Sequence, residues 1–334
     1  MKMLSRGLCA AAVLTFAAGA QAQETKLIMT SLSPPQSPNS VFFAAWAKKV
    51  DDAAKGAVTV DLRDGIALAT FGNTYDRTQN DVIQIGWVQH GLVAGKFPLS
   101  EVAGLPFLVD DIGAGAAALW RLYKSGLMNA EYAETVPLWY GLLGLQGLHF
   151  AKTPKSLDNL GGAKLRINGR VVGQLVEIMG GTPISMQSED MYGALQRGTI
   201  DGIVSSWAAF EPYKLQEVTT YHYEVAFGTT TSMFMMAKKK YDALPAAGRA
   251  ALDANTGEAM SRSFMVHIAA QADRARKPVS ESPTHKVVQP TAEQIAAWQA
   301  KAKPVFEQWA KERAGGEKVL EEFRRLYAAA KSGT

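Results

Sequence analysis

The sequence predicts a mixed α/β fold of two lobes with long C-terminal helices. Three observations predict it. Strand-like and helix-like patterns alternate in two separate runs along the 334 residues, the β-α-β order of mostly parallel sheet covered by helices. Two stretches, 141–150 and 227–237, break that order and read as strands crossing between lobes. Beyond about 246 the patterns are mainly helical.

The first element is set apart from the fold. "MKMLSRGLCAAAVLTFAAGAQAQE" places Lys2 and Arg6 before an apolar run and then Ala20-Gln21-Ala22. That is the order of a secretory signal peptide, expected over 1–22 with cleavage after Ala22. The run is too short to span a membrane, and Cys9 lacks the spacing of a lipoprotein anchor. The leader carries two cations and no acid, so its removal lowers the net charge from +4 by two. So mild a charge gives no argument for nucleic acid or an anionic membrane as a partner, and no nucleic acid is expected. Cys9 is the single cysteine, so the mature chain has no thiol nucleophile, thiolate metal site or disulfide. The expectation is a soluble exported protein, periplasmic in a bacterium and working as a monomer.

The remaining elements follow in order. Strands are expected at 26–32 and 58–63, the second alternating with period two. Between them Ser37-Pro38 reads as a helix cap followed by proline at the first helical position, with Val41, Phe42, Ala45 and Trp46 at helical spacing. A helix at 74–82, a strand at 82–87 and a helix at 112–126 complete the first run. After the glycine-rich crossing at 141–150 the second run reads "KLRI", "RVVGQLVEIM", "TPISM", "EDMYGALQRG" and "IDGIV", with Gly180 and Gly198 where helix C-caps are expected. Helix is expected from about 246 to Pro278, and a charged helical tail from about 291 to 330. The expected lobe I is 23–143 plus about 232–271, and lobe II is about 144–231 plus 272–334.

One residue breaks the rule for such sheets. Strands covered on both faces are apolar on both sides, yet "KLRI" holds Arg166 between Leu165 and Ile167. A buried guanidinium needs an anionic partner: a structural acid, solvent at a sheet edge, or a ligand carboxylate. Arg166 lies near the carboxyl end of its strand, where open α/β sheets bind ligands, and its planar fork suits a carboxylate.

The segment "SLDNLGGAKLRINGRVVGQLVEIMGGTPISMQSEDMYGALQRGTIDGIVSSW" resembles the solute-binding proteins of TRAP (tripartite ATP-independent periplasmic) transporters, DctP-like. The family's "L-K-G-L-K-I-R-V", "G-A-x-P" and "Y-x-A-L-Q-x-G-x-V-D-G" blocks are met in register by Lys164, Arg166, Gly181, Pro183, Tyr192, Ala194, Leu195, Gln196, Gly198, Asp201 and Gly202. Upstream, "IQIGW…GKFPLSEVAGLPFL" resembles the segment that reads "aDIGw…FPL-E…LPFL" in the family. The resemblance covers essentially the whole mature chain. It implies a periplasmic-binding-protein-like fold whose lobes close over a cleft, with Arg166 gripping the carboxylate of a small organic acid. It also implies delivery to membrane permease subunits driven by an ion gradient.

The same resemblance orders the rest of the site. Many relatives carry asparagine after Asp-Gly; here Ser205 and Ser206 follow, and Trp207 matches the tryptophan of a "D-G-x-x-F-P-W" branch. Ser206 stands where some keto-acid binders place a metal-bridging glutamate, so no metal and no cofactor are expected. Trp87, Phe71, Tyr75, Trp207 and Phe210 fall in segments expected to face the cleft, with core packing as the alternative for each. An aromatic cleft with one arginine favours an apolar or aromatic monocarboxylate. His90, Gln146, Met186, Ser188 and Ser205 are further candidates for the pocket. His149 lies beside the crossing, while His222, His267 and His285 look isolated.

An enzyme is not expected. There is no G-x-S-x-G elbow, no G-x-G-x-x-G after a strand, no Walker loop and no histidine pair at zinc spacing. The competing readings are a receptor for an ATP-driven (ABC) importer and an exported ligand module for a sensor kinase.

Overall fold

The computed structural model describes residues 24–157 and 159–333. The expected leader and its cleavage point lie outside the described residues. The chain opens with β1 (Thr25–Thr30), and Ser37 then caps α1 (Pro38–Ala54) by accepting a bond from the Ser40 amide. Proline at the first helical position costs nothing there, because that N–H has no partner in any helix. The helix returns the chain to β2 (Val58–Arg63), which pairs parallel with β1 in register from Thr25↔Val58 to Thr30↔Arg63. α2 (Thr74–Gln79) leads to β3 (Gly86–Gln89), and α3 (Ile112–Lys124) to the long β4 (Thr135–Leu145).

One residue later the chain enters a second sheet as β5 (Gly147–Phe150). There follow β6 (Lys164–Ile167), α4 (Arg170–Ile178), β7 (Thr182–Ser185), α5 (Met191–Gln196), β8 (Gly202–Ser205), α6 (Phe210–Tyr213) and β9 (Tyr221–Tyr223). β10 (Thr229–Ala237) goes back to the first sheet. The remainder is helical apart from β11 (Lys286–Val288): α7 (Lys238–Asp242), α8 (Ala246–Ala254), α9 (Gly257–Glu281), α10 (Ala292–Glu312) and α11 (Gly316–Ser332).

The first lobe orders its strands β3-β10-β4, and a bridge at Met29↔Ile85 joins the β1–β2 pair to them. The second orders them β11-β9-β5-β8-β6-β7. Gln146 forms the whole of the first crossing, and 224–228 forms the second. α9 is a third link: it packs on α3 and β4 at one end and on the turn at Trp207–Ala209 and on β11 at the other. Among the described residues no helix is long and apolar enough to cross a membrane.

Three expectations are corrected here. The helix expected from 246 to Pro278 is two helices. Gly257, at φ +86° and with Trp120 3.2 Å from where a Cβ would stand, breaks it, while Pro278 lies within the last turn of α9. The charged tail also divides at 313–315, where Gly315 turns at φ +78°. Its second half, α11, packs on α3 beside the first sheet rather than with the second lobe, whereas α10 packs on α4.

Candidate functional site

β6 runs between β8 and β7, with Arg166 opposite Ile203 and Ile184. Hydrophobic neighbours on both sides leave its side chain 1% exposed. Its Nε donates to the Met186 carbonyl at 3.1 Å and its Nη2 to Ser188 Oγ at 3.1 Å. No carboxylate among the described residues forms an ion pair with it. Burial therefore lowers its pKa to about 10, with Tyr213 and Glu189 opposing the shift. Tyr213, at the end of α6, is pushed the other way, to about 12, chiefly by burial, so its phenol stays a neutral donor. Arg166, Ser188 and Tyr213 thus form a corner that is rich in donors and lacks an anion.

That corner belongs to a cavity of about 300 Å³ between the lobes. Across from it stand Phe71 and Trp87, edge to face with centroids 5.0 Å apart. Trp87 is held by stacking on Phe234 and by donating from Nε1 to Ser232 Oγ at 3.2 Å. Leu32, Ile66, Met191 and Ile268 supply further apolar surface, while Gln89, Gln146, Asn168, Thr230 and Ser205 add uncharged polar groups. Among the described lining residues Arg166 is the one cation and the exposed Glu189 the one acid. The arrangement can hold a small monoanion with an apolar body. No group of three or more histidine, cysteine or acidic side chains among the described residues is placed to hold a metal.

Six of the candidates meet at this cavity: Arg166, Trp87, Phe71, Gln146, Ser188 and Ser205. Five do not line it. Trp207 folds behind β8 onto His149, His222 and Phe210 and donates from Nε1 to Glu224 at 2.7 Å. Phe210 is fully buried in the same cluster. Tyr75 packs against Phe97 with the Lys96 ammonium 5.6 Å from its ring. Met186 contributes through its backbone carbonyl to Arg166 and not through its side chain.

His90 is off by one residue. Side chains alternate across a strand, so Trp87 and Gln89 share the cleft face while His90 points to the opposite side, among Phe97 and Tyr140. Both its ring nitrogens lack partners, and burial alone lowers its pKa to about 3. Gln89, missed in the sequence, could have been found by counting two residues on from Trp87. Asn168 and Thr230 were missed too. Asn168 donates from Nδ2 to Thr230 Oγ1, and Gln146 Nε2 donates to both Asn168 Oδ1 at 3.1 Å and Thr230 Oγ1 at 2.9 Å. This network ties the first crossing and the start of β10 to the turn after β6.

The histidines expected to be isolated are linked. His149 Nδ1 and His222 Nδ1 are 3.0 Å apart, as are His222 Nε2 and His285 Nδ1, and His149 Nε2 lies 3.1 Å from the Ser205 carbonyl. The carbonyl can only accept, so His149 carries its proton on Nε2. His222 must then donate from Nδ1, and His285 from Nδ1. One carbonyl sets three tautomers, and a second proton on His149 or His222 would set two donors face to face. His267 instead pairs with Asn39 Oδ1 at 2.9 Å and stacks on Phe42.

Known proteins resemble this chain in sequence and in fold. The family model for bacterial extracellular solute-binding protein, family 7 (DctP), matches residues 29–312. The C4-dicarboxylate-binding periplasmic protein DctP of Rhodobacter capsulatus is 26% identical over 95% of this chain and 97% of its own. A TRAP solute-binding protein from Rhodoferax ferrireducens, solved with copurified benzoate, superposes with a TM-score of 0.85 at 25% identity, over 92% of this chain and 99% of its own. A marine-metagenome TRAP solute-binding protein specific for aromatic acids, solved with metahydroxyphenylacetate, gives 0.83 at 25% identity over the same shares.

Proposed function

The chain belongs to the bacterial extracellular solute-binding proteins of family 7, and from there we propose that it captures an apolar or aromatic monocarboxylate for a TRAP-type secondary transporter. In this reading the leader exports the protein to the periplasm and is cut after Ala22. The mature chain binds its ligand as a monomer and presents it to the membrane permease subunits. It does no chemistry on the ligand.

Arg166 carries the reading. An unpaired guanidinium 1% exposed in the wall of an open cavity is costly unless something anionic arrives. Ser188 and Tyr213 add donors beside it, so a carboxylate there gains several charge-assisted bonds. The single cation supports a monoanion over a dianion, and Phe71 and Trp87 support a flat apolar body. The benzoate and hydroxyphenylacetate held by two similar proteins point to the same chemistry. As the lobes close, water leaves the cleft and the pairing strengthens.

A thermal-shift screen tests this on mature protein unfolded and refolded to strip bound ligand. Small aromatic and aliphatic carboxylic acids are compared with their amides. Ligand at about a thousand times its dissociation constant adds about 4 kcal/mol of stability, a shift of many degrees for a chain of this size. A shift with an acid, absent for its amide and lost in Arg166→Ala, is expected. No shift with any acid would remove the reading.

A further inference from the structure

We infer that Glu189 sets the charge the ligand can carry: its carboxylate turns away acids that bring a second carboxylate into the cavity. This deepens the carboxylate-receptor reading and rests on it. Arg166 donates to the Met186 carbonyl and to Ser188 Oγ, so the stretch 186–188 holds the guanidinium. Glu189 is the next residue, in the turn Ser188–Asp190, and it lines the same cavity. Gln187, inside that stretch, reaches the other lobe: its Nε2 lies 3.3 Å from where a Cβ on Gly72 would stand, next to Phe71. The loop that carries Glu189 therefore joins the donor corner to the aromatic wall, and a ligand reaching from one to the other passes along it. Burial dominates the pKa shifts of Arg166 and Tyr213, and the charge of Glu189 acts on both groups. Glu189 is exposed and makes no ion pair with a described residue.

The charges lining the cavity decide what it can take. Arg166 is the one cation and Glu189 the one acid among the described lining residues, so the empty cavity is neutral. A ligand carboxylate on Arg166 pairs with the guanidinium directly and leaves a single negative charge in excess. A second carboxylate would double that excess beside Glu189, and Gln89, Gln146, Asn168 and Thr230 bring no positive charge to offset it. Closure of the lobes removes the water that would screen the repulsion. Like charges set against the wrong partner are a common source of specificity, distinct from the attraction that holds the right one. A neutral group of the same shape meets no such barrier.

The experiment is calorimetric titration of the refolded mature protein with acids matched in shape and differing by one charge. Benzene-1,3-dicarboxylate is paired with 3-carbamoylbenzoate and benzene-1,4-dicarboxylate with 4-carbamoylbenzoate, and benzoate is the reference. In at least one pair the carbamoyl acid should bind within about tenfold of benzoate and at least about tenfold tighter than its dicarboxylate. Glu189→Gln should narrow that gap by at least about threefold in about 0.05 M salt, and by less in about 1 M salt, where charges are screened within about 3 Å. Melting of the unliganded variant checks that it folds, and Glu189→Ser replaces it if it does not. A gap absent from the parent protein, or unchanged in the variant, would overturn the inference and leave the carboxylate reading standing. So would rejection of both members of both pairs while benzoate binds, because shape and not charge would then be the barrier. Binding by none of the probes would overturn the aromatic-carboxylate reading and this inference with it.

Discussion

Replacing Arg166 with methionine should separate two energies that a structural arginine would keep together. In the unliganded protein burial holds the guanidinium pKa at about 10, which corresponds to about 3 kcal/mol against the charged form. Two hydrogen bonds, to the Met186 carbonyl and Ser188 Oγ, offset part of that. Methionine fills a similar length without charge, and exchanging buried charges for apolar groups of similar volume is neutral or stabilising by about 1–4 kcal/mol. The unliganded variant should therefore unfold in urea at the same midpoint as the parent or a higher one.

Ligand binding should respond in the opposite sense. Truncating one partner of a desolvated charge pair costs about 2–5 kcal/mol, or about thirtyfold to several thousandfold in affinity. The assays are urea unfolding of ligand-stripped protein and calorimetric titration with the acid found in the screen. A variant destabilised by more than about 2 kcal/mol whose affinity is unchanged would refute the reasoning, because the charge would then serve the fold.

The remaining predictions concern side chains around that site. Trp207→Ala should cost about 3–5 kcal/mol of stability through the cavity it leaves and spare ligand affinity, whereas Phe71→Ala, at an equally buried ring that lines the cleft, should lower both stability and affinity; urea midpoints and titrations tell the two apart. His90 and His149, lowered by burial to about 3 from 6.5, bind protons in the unfolded chain before the folded one. Stability is therefore full above about pH 6.5 and falls as pH drops toward 3, by up to about 1.4 kcal/mol per pH unit for each ring. His90→Phe should reduce that slope between pH 6.5 and 5 and leave ligand affinity unchanged, and an unaltered slope would mean that His90 is not held neutral. Asn168→Ala removes the bonds that tie the turn after β6 to Gln146 and Thr230; small-angle scattering should then show a larger unliganded radius that contracts on adding ligand. Gly144→Ala sets a Cβ at φ +87° and 2.8 Å from the Ser206 Cβ, so it should destabilise by about 1–3 kcal/mol in a thermal melt.

Local pattern was enough for much of the architecture. The Ser37 cap, the period of 58–63 and the glycines at 180 and 198 mark element boundaries that the structure keeps, with Gly180 and Gly198 both at positive φ. These signals concern hydrogen bonds and dihedrals within a few residues of each other, so a short window contains their cause. Arg166 was legible for the same reason: a charge inside a short apolar strand conflicts with its immediate neighbours whatever the rest of the chain does. The order of motifs then pointed to the family.

Which side chains meet across the cleft was decided only by tertiary structure. In a sheet covered by helices on both sides, each face of a strand is buried, so an apolar residue carries no mark of whether it faces ligand or core. Trp87 and Trp207 look alike in sequence; one lines the cavity and the other packs behind β8. The step from Gln89 to His90 turns a side chain from cleft to interior, and pattern alone did not separate them. The histidine chain joins β5, β9 and the turn before β11, with partners 73 and 63 residues apart. Asn168 reaches Thr230 across 62 residues. Such contacts depend on how two sheets stack and where three links place them, and no local pattern of hydrophobicity or charge encodes that distance.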